Sequence, residues 1–372
     1  MTAELVVISL ERWDEVWRRN QYLVDGLLRR DPALRVLFVE PVHDLLYSLV
    51  TGDGLGRGEG LRRADGYEGR LWLLQPTKLL PRVLGGIADA LLRRSVLRAA
   101  TRAGLAAPTL WINDPGWARL LQARPAWPAI YDITDDWTLA ERAPRERERI
   151  VRNETLLLDR ADAVVVCSNA LAASKGKDRA VVHVSNGVDV ERYRVPASRP
   201  PDLPPGRNAV YLGTLHEDRL DVALTARVAR EVARSGAHLV LVGPNLLPAA
   251  RTEELTGAGA VILGPRPFAE VPGYLQHAAA LVVPHVVSAF TDSLDPIKLY
   301  EYLAVGRPIV STPVAGFRDV DLPGVHTAGA DELPGVLIGL LAQNPPSIIH
   351  TAIPDWTTQV DSIAGVLDAI RR

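Results

Sequence analysis

One cysteine, Cys167, one methionine and four phenylalanines stand among 372 residues. A lone thiol can form no intrachain disulfide and excludes a Cys-rich zinc site, so a reducing compartment is the natural setting. No apolar run approaches the roughly 18 residues of a spanning helix. The opening MTAELVVISLER lacks the basic region and long apolar stretch of a secretory signal and reads as a first buried strand, so a cytoplasmic location is expected. No G-x-G-x-x-G follows that strand, which disfavours a dehydrogenase. Neither charge is in excess, with 42 basic and 44 acidic residues and a net charge of -2, so the electrostatic footprint of a nucleic-acid partner is missing. Only four of the basic residues are lysines, a bias that fits a GC-rich coding sequence.

What is present is a chain too long for one compact core, which predicts two domains of about 150 to 200 residues each. Short runs rich in Val, Ile and Leu alternate with helical patterns, the mark of strand-helix-strand units and parallel sheets. In the first half the strands are expected at Leu5–Leu10, Arg35–Val42, Leu71–Pro76, Pro108–Asp114, Pro128–Ile133, Ala163–Ser168 and Ala180–Ser185. RVPASRPPDLPPGR, 194–207, has five prolines and no apolar period and reads as a linker. The alternation then restarts at Asn208 and runs through His238–Gly243, Ala260–Gly264, Ala280–His285 and Pro308–Thr312. The expectation is two doubly wound α/β domains, 1–193 and 208–354. A C-terminal helix in 355–372, with Asp355 as its N-cap, packs on a domain face. In such sheets ligands bind beyond the carboxyl ends of strands, and two facing domains would form a cleft.

The stretch FTDSLDPIKLYEYLAVGRPIVST, 290–312, concentrates chemistry. Asp295-Pro296 reads as a helix start, with Gly306 as the left-handed stop. Lys298 falls in the first turn, where a cation opposes the helix dipole unless an anion is close. Glu301 lies three residues on, and its carboxylate suits the paired hydroxyls of a ribose. A plain surface Lys–Glu pair is the competing reading.

That stretch resembles the donor-binding segment of GT-B nucleotide-sugar glycosyltransferases of the large retaining family 4 type, nearest to the branch that includes teichuronic-acid-type envelope transferases. VWRRNQYLVDGLL, RVLFVEP, YDITDDW, RADAVVVCSNALA, VSNGVD, YLGTLHEDRLD and LGPRPFAEVPGYLQHAAALVVP agree with it in order, over nearly the whole chain. The resemblance implies a GT-B architecture of two Rossmann-like domains facing a cleft, and hexosyl transfer from a nucleoside diphosphate sugar such as a UDP-sugar. It implies Glu301 at the ribose. Ser293 stands where the family often has a sugar-binding glutamate, so donor-sugar contacts pass to Asp292 or to backbone N–H groups of the Thr291–Leu294 loop. Arg219 falls on a basic position of the phosphate loop, but Leu220 replaces its lysine. Diphosphate charge would then rest on Arg219, Lys298 and the helix N-terminus, with the base near Arg266 to Phe268. No cofactor beyond the donor is implied, and no metal: the D-x-D matches, such as Asp319-Val320-Asp321, fall in turn-like contexts.

On the acceptor side, YDITDDW puts Thr134 where the family often has a histidine, followed by Asp135 and Asp136. Asp135 is the candidate catalytic base for an acceptor hydroxyl, and helix capping is the alternative for either aspartate. Trp13 and Trp17, four apart, with Asp14, Arg19 and Gln21, read as acceptor-binding residues or as packing. The 76–105 stretch sets Lys78, Arg82, Arg93, Arg94, Arg98 and Arg102 against one acid, Asp89, and reads as a solvated basic helix or as a contact with an anionic membrane. Two further functions share these features: a nucleotide-sugar epimerase, which needs no acceptor, and a non-catalytic sugar-nucleotide-binding protein. The oligomeric state is not legible in the sequence.

Overall fold

The computed structural model describes residues 3–14, 17–44, 58–78, 85–140, 142–343 and 345–371. The chain divides into two compact units, one of residues 1–184 and 357–372 and one of residues 185–356. Among the described residues no helix is long and apolar enough to cross a membrane.

The first unit is built on strands β1 (Glu4–Ile8), β2 (Arg35–Val39), β4 (Gly60–Arg63), β5 (Leu71–Gln75), β7 (Thr109–Ile112), β8 (Ala129–Ile133), β9 (Ala163–Val166) and β10 (Val182–His183), with a small pair β3 (His43–Asp44) and β6 (Thr77–Lys78) beside them. The sheet order is β10-β9-β8-β7-β1-β2-β5-β4, parallel except for β4 at one edge. Chain progression reverses between β1 and β7, which makes that point the topological switch. Val6, Ile8, Leu37, Val39, Leu110 and Ile112 are fully buried on one face of the sheet, as the apolar runs dictate for strands covered on both sides. A polar network ties the carboxyl ends of β1, β7 and β8 together. Asp132 accepts from Arg19 Nε and Nη2 at 3.2 and 3.1 Å, from Trp111 Nε1 at 3.2 Å and from Asn113 Nδ2 at 3.1 Å. Asn20 links Ser9 and Asn113 at 3.0 and 3.1 Å.

The second unit holds β11 (Asn208–Leu212), β12 (His238–Val242), β13 (Ala260–Gly264), β14 (Ala280–Val283), β15 (Ile309–Ser311) and β16 (Val325–Thr327), all parallel in the order β13-β12-β11-β14-β15-β16. Its switch point is β11/β14. The alternation is regular: Ala209, Tyr211, Leu239 and Leu241 face the helices Val222–Arg234 and Leu333–Gln343, while Val210, Val240 and Val242 face Val271–Gln276 and Ile297–Val305. Asp221 caps the Val222–Arg234 helix by accepting from Leu224 N at 2.9 Å.

The break between the units lies earlier than the Pro-rich stretch. The break falls at 184/185, and the Pro-rich stretch 194–207 is part of the second unit, where Leu203 and Tyr193 are buried in its core. Prolines made this stretch look like a linker, but extended chain packs as well as a strand when its apolar residues find a groove. The C-terminal helix Trp356–Ile370 returns to the first unit: Val360 lies against Gly26, and Asp361 pairs with Arg30.

Candidate functional site

At the second unit's switch point β11 ends in Gly213 at φ +145° and β12 in Gly243 at φ +139°, backbone angles that favour glycine. The space above each is filled. A Cβ at Gly243 would lie 2.3 Å from Gly213 O, and a Cβ at Gly213 would lie 2.5 Å from Lys298 Cε and 2.6 Å from its Nζ. The Lys298 ammonium therefore rests on the bare backbone at the end of β11, 5.2 Å from the centre of the Tyr211 ring. It finds no hydrogen-bond acceptor among the described residues. Burial, with the Arg219 charge, lowers its pKa to about 8, and Glu301 pulls weakly the other way.

Arg219, in the segment after β11, sets its guanidinium 5.8 Å from the Phe290 ring. His285, beyond β14, is buried and hydrogen-bonded to the Tyr211 hydroxyl at 3.1 Å. Burial and the nearby Lys298 and Arg219 charges hold it well below the ordinary histidine range, hence neutral. In the sequence His285 is only a strand-end residue, and its place as an uncharged neighbour of the two cations is a product of the fold.

Lys298 and Glu301 make no ion pair, so the plain surface pair does not form. Lys298 turns to β11, while Glu301 Oε1 accepts from the buried Tyr193 hydroxyl at 2.6 Å. Glu301 Oε2 has no partner among the described residues. Burial raises the Glu301 pKa, against the Tyr193 hydrogen bond and the Lys298 charge. The helix runs Ile297–Val305 and stops at Gly306, φ +74°, as its sequence predicts. Its start is different. Pro296 is the N-cap, and Asp295 does not cap: its carboxylate accepts from Tyr300 Oη at 2.6 Å and from Asn186 N. The amides of Ile297 and Lys298 open the helix without an internal partner.

The preceding loop departs further from expectation. Thr291–Ser293 form a 3₁₀ turn, and the amides of Thr291, Asp292, Ser293 and Leu294 are all spent inside the loop, on Ser288 Oγ and on the carbonyls of Ser288, Phe290 and Thr291. Thr291 and Ser293 are buried, and the Ser293 hydroxyl donates to Phe290 O at 2.7 Å. Asp292 is half-buried and paired with Arg318 at 2.7 Å. Arg266 is held by Asp202 and by Tyr274 Oη at 2.9 Å, so its side chain is committed to the Pro-rich segment.

In the first unit Arg19 is buried in its ion pair with Asp132 at 3.1 Å and holds β8 in place instead of facing an acceptor. Asp136 is buried too, paired with Lys175 at 2.9 Å, and accepts from Thr138 N at 3.2 Å within a turn; the next helix, Pro144–Arg160, has Ala143 at its N-cap, so Asp136 does not cap it. Lys175 also pairs with Glu154 at 2.9 Å. Trp13 and Trp17 precede the Arg19–Arg30 helix instead of lying along it. Their rings are 6.0 Å apart, and Trp13 meets Phe38 and Tyr67 edge-on at 5.1 and 5.7 Å. Asp14 is exposed beside Arg18. Asp135, half-buried after β8, accepts from Thr134 Oγ1 at 3.1 Å.

Glu11, two residues beyond Ser9 at the end of β1, was missed. Its Oε2 is buried with no hydrogen-bond partner among the described residues. Burial raises its pKa to about 7, with Arg18 opposing and Asp135 adding to the rise. Its signal was position alone: an acid just past the first strand, at the switch point. Among the described residues no group of three or more His, Cys, Asp or Glu is placed to hold a metal ion.

Two Rossmann-like units in one chain are the architecture of the GT-B glycosyltransferases. Residues 206–342 match the family described as Glycosyl transferases group 1. The chain is 26% identical over 234 residues to a Bacillus subtilis (strain 168) protein named as the teichuronic acid biosynthesis glycosyltransferase TuaH, a match covering 58% of each. It thus spans less than two thirds of that relative's length. Its fold is similar to that of sucrose-phosphate synthase from Thermosynechococcus elongatus, with a TM-score of 0.67, 15% identity and coverage of 99% of this chain and 94% of that one. An α,α-trehalose 6-phosphate synthase from Burkholderia multivorans gives a TM-score of 0.66 at 12% identity, covering 100% and 99%. The catalytic domain of starch synthase IV from Arabidopsis thaliana gives 0.64 at 11%, covering 100% of both.

Proposed function

We propose that this protein is a glycosyltransferase of the hexosyl type, moving a sugar from a nucleoside diphosphate sugar to a hydroxyl of a glycan, lipid-linked or natural-product acceptor. One observation carries the reading: a lysine ammonium laid on the glycine backbone at the end of β11, without an acceptor among the described residues, beside a helix N-terminus and Arg219. A diphosphate supplies the missing negative charge, and the same cations stabilise it as it leaves. Glu301, fixed by Tyr193 through one oxygen, offers the other to the ribose hydroxyls. In the transfer, the bond from the anomeric carbon to the diphosphate oxygen breaks with its electron pair going to the diphosphate. The acceptor oxygen forms the new bond and its proton leaves to a carboxylate of the first unit, Asp135 in this proposal. Retention of configuration, with the acceptor oxygen entering on the face that the diphosphate leaves, and transfer without a metal belong to the same reading. The geometry favours the nucleotide end over the sugar end, because Ser293 and the loop amides are already engaged.

Calorimetry with UDP, GDP and TDP tests it. At least one should bind, and Glu301→Ala should weaken that nucleotide tenfold or more, about 1.4 kcal/mol. Absence of binding to all three, or an unchanged affinity in the variant, refutes the assignment. Sugar transfer that requires an added hydroxyl acceptor separates this reading from an epimerase.

A further inference from the structure

The Gly85–Arg102 helix carries a surface that donor binding does not use. Its inner side is apolar: Ala88 is buried, and Val96, Ala99 and Ala100 are buried in the core of the first unit. Ile87, Leu91, Arg94, Arg98 and Arg102 follow at spacings of four, three, four and four, which puts them on one outward stripe. All five are exposed. Ile87 and Leu91, 59% and 52% exposed, lie one turn apart and so form an adjacent aliphatic pair at the head of a basic stripe, where a single exposed side chain would carry no meaning. The only acid of the helix, Asp89, lies toward the other side. Arg82, expected to add to this charge, lies outside the described residues.

We propose that this stripe docks the protein on the surface of an anionic phospholipid bilayer, with the helix lying in the interface. The two ends of the stripe suit the two depths of that interface. Ile87 and Leu91 enter the boundary between headgroups and acyl chains, and Arg94, Arg98 and Arg102 lie among the phosphates. An acidic protein or a nucleic acid would match the arginines but give the aliphatic pair no solvent. The surface belongs to the first unit alone, so its role is separable from donor binding in the second.

Co-sedimentation of the full chain with phosphatidylcholine vesicles, with and without phosphatidylglycerol, tests the proposal. Binding is expected only to the anionic vesicles and should weaken as salt is raised. Arg94→Glu/Arg98→Glu should lose roughly 25-fold or more, from about fivefold for each arginine near the surface. Ile87→Asp/Leu91→Asp should lose a comparable amount, while Arg94→Lys/Arg98→Lys retains binding. These positions are exposed, and circular dichroism melting curves confirm that the variants fold. No sedimentation with anionic vesicles, equal binding to neutral ones, or wild-type binding by the aspartate pair would each overturn it.

Discussion

Consider donor binding as the pH is raised through the Lys298 pKa. With that pKa at about 8, the ammonium is roughly 90% protonated at pH 7 and about 10% at pH 9. A diphosphate binds the charged form and raises its pKa, so binding draws in a proton wherever the free site has lost one. The sign follows: affinity is full below about pH 7, halves near pH 8 and is about tenfold weaker at pH 9. A nucleoside diphosphate sugar suits the measurement, since its pyrophosphate diester keeps a constant charge over this range. Folding stability should move the opposite way. A lysine whose folded pKa is lowered from 10.5 leaves the unfolded chain holding more protons between about 8 and 10.5, so stability rises with pH there. Lys298→Gln should weaken binding at pH 7 by one to two orders of magnitude, from about 1.5–3 kcal/mol for charge-assisted hydrogen bonds, and should flatten the profile. Titration calorimetry from about pH 6.5 to 9 gives both readings. Undiminished binding by Lys298→Gln, or a flat wild-type profile, would refute the assignment of Lys298 to the phosphates.

The remaining predictions address the scaffold and the acceptor side. Gly213→Ala places a Cβ 2.5 Å from Lys298 Cε at a φ of +145°, so it should cost about 1–3 kcal/mol in urea denaturation and also weaken donor binding by displacing the ammonium. Arg19→Met leaves Asp132 buried without its ionic partner and should destabilise the first unit by about 3–5 kcal/mol; a loss under about 1 kcal/mol would show that Asp132 is satisfied by Trp111 and Asn113 alone. Asp135→Asn should abolish sugar transfer with donor affinity intact, and retained turnover would remove it as the proton acceptor. Glu11→Gln removes a carboxyl that titrates near pH 7 beside Asp135, so the change in transfer rate around that pH should shift or vanish while the fold, followed by circular dichroism, persists.

Much of the proposed nucleotide site was legible because its signals are local. Asp295-Pro296 and Gly306 bracket a helix by backbone preferences that act over a few residues, and a lysine in a first turn with a glutamate three residues on is read without knowing what lies opposite. Even there the cap was misread, since Asp295 had a second option, Tyr300 and Asn186, that capping rules do not contain. The alternation of apolar runs likewise fixed two parallel sheets, because strands covered on both faces must be apolar throughout.

Contacts between distant segments decided the rest. Arg19 and Asp132 are 113 residues apart, and only the adjacency of β1, β7 and β8 turns an apparent acceptor ligand into a buried structural pair. Burial at the end of β1 raises the Glu11 pKa, and the same adjacency adds the charge of Asp135 to that rise. Tyr193 reaches Glu301 across 108 residues, from a helix next to what composition marked as a linker. Sequence alone determined which segments are strands and helices and which residue types the site contains. Which of those charges meet each other and which are left to meet a ligand was decided by tertiary structure, because the pKa and availability of a side chain depend on neighbours that only folding supplies.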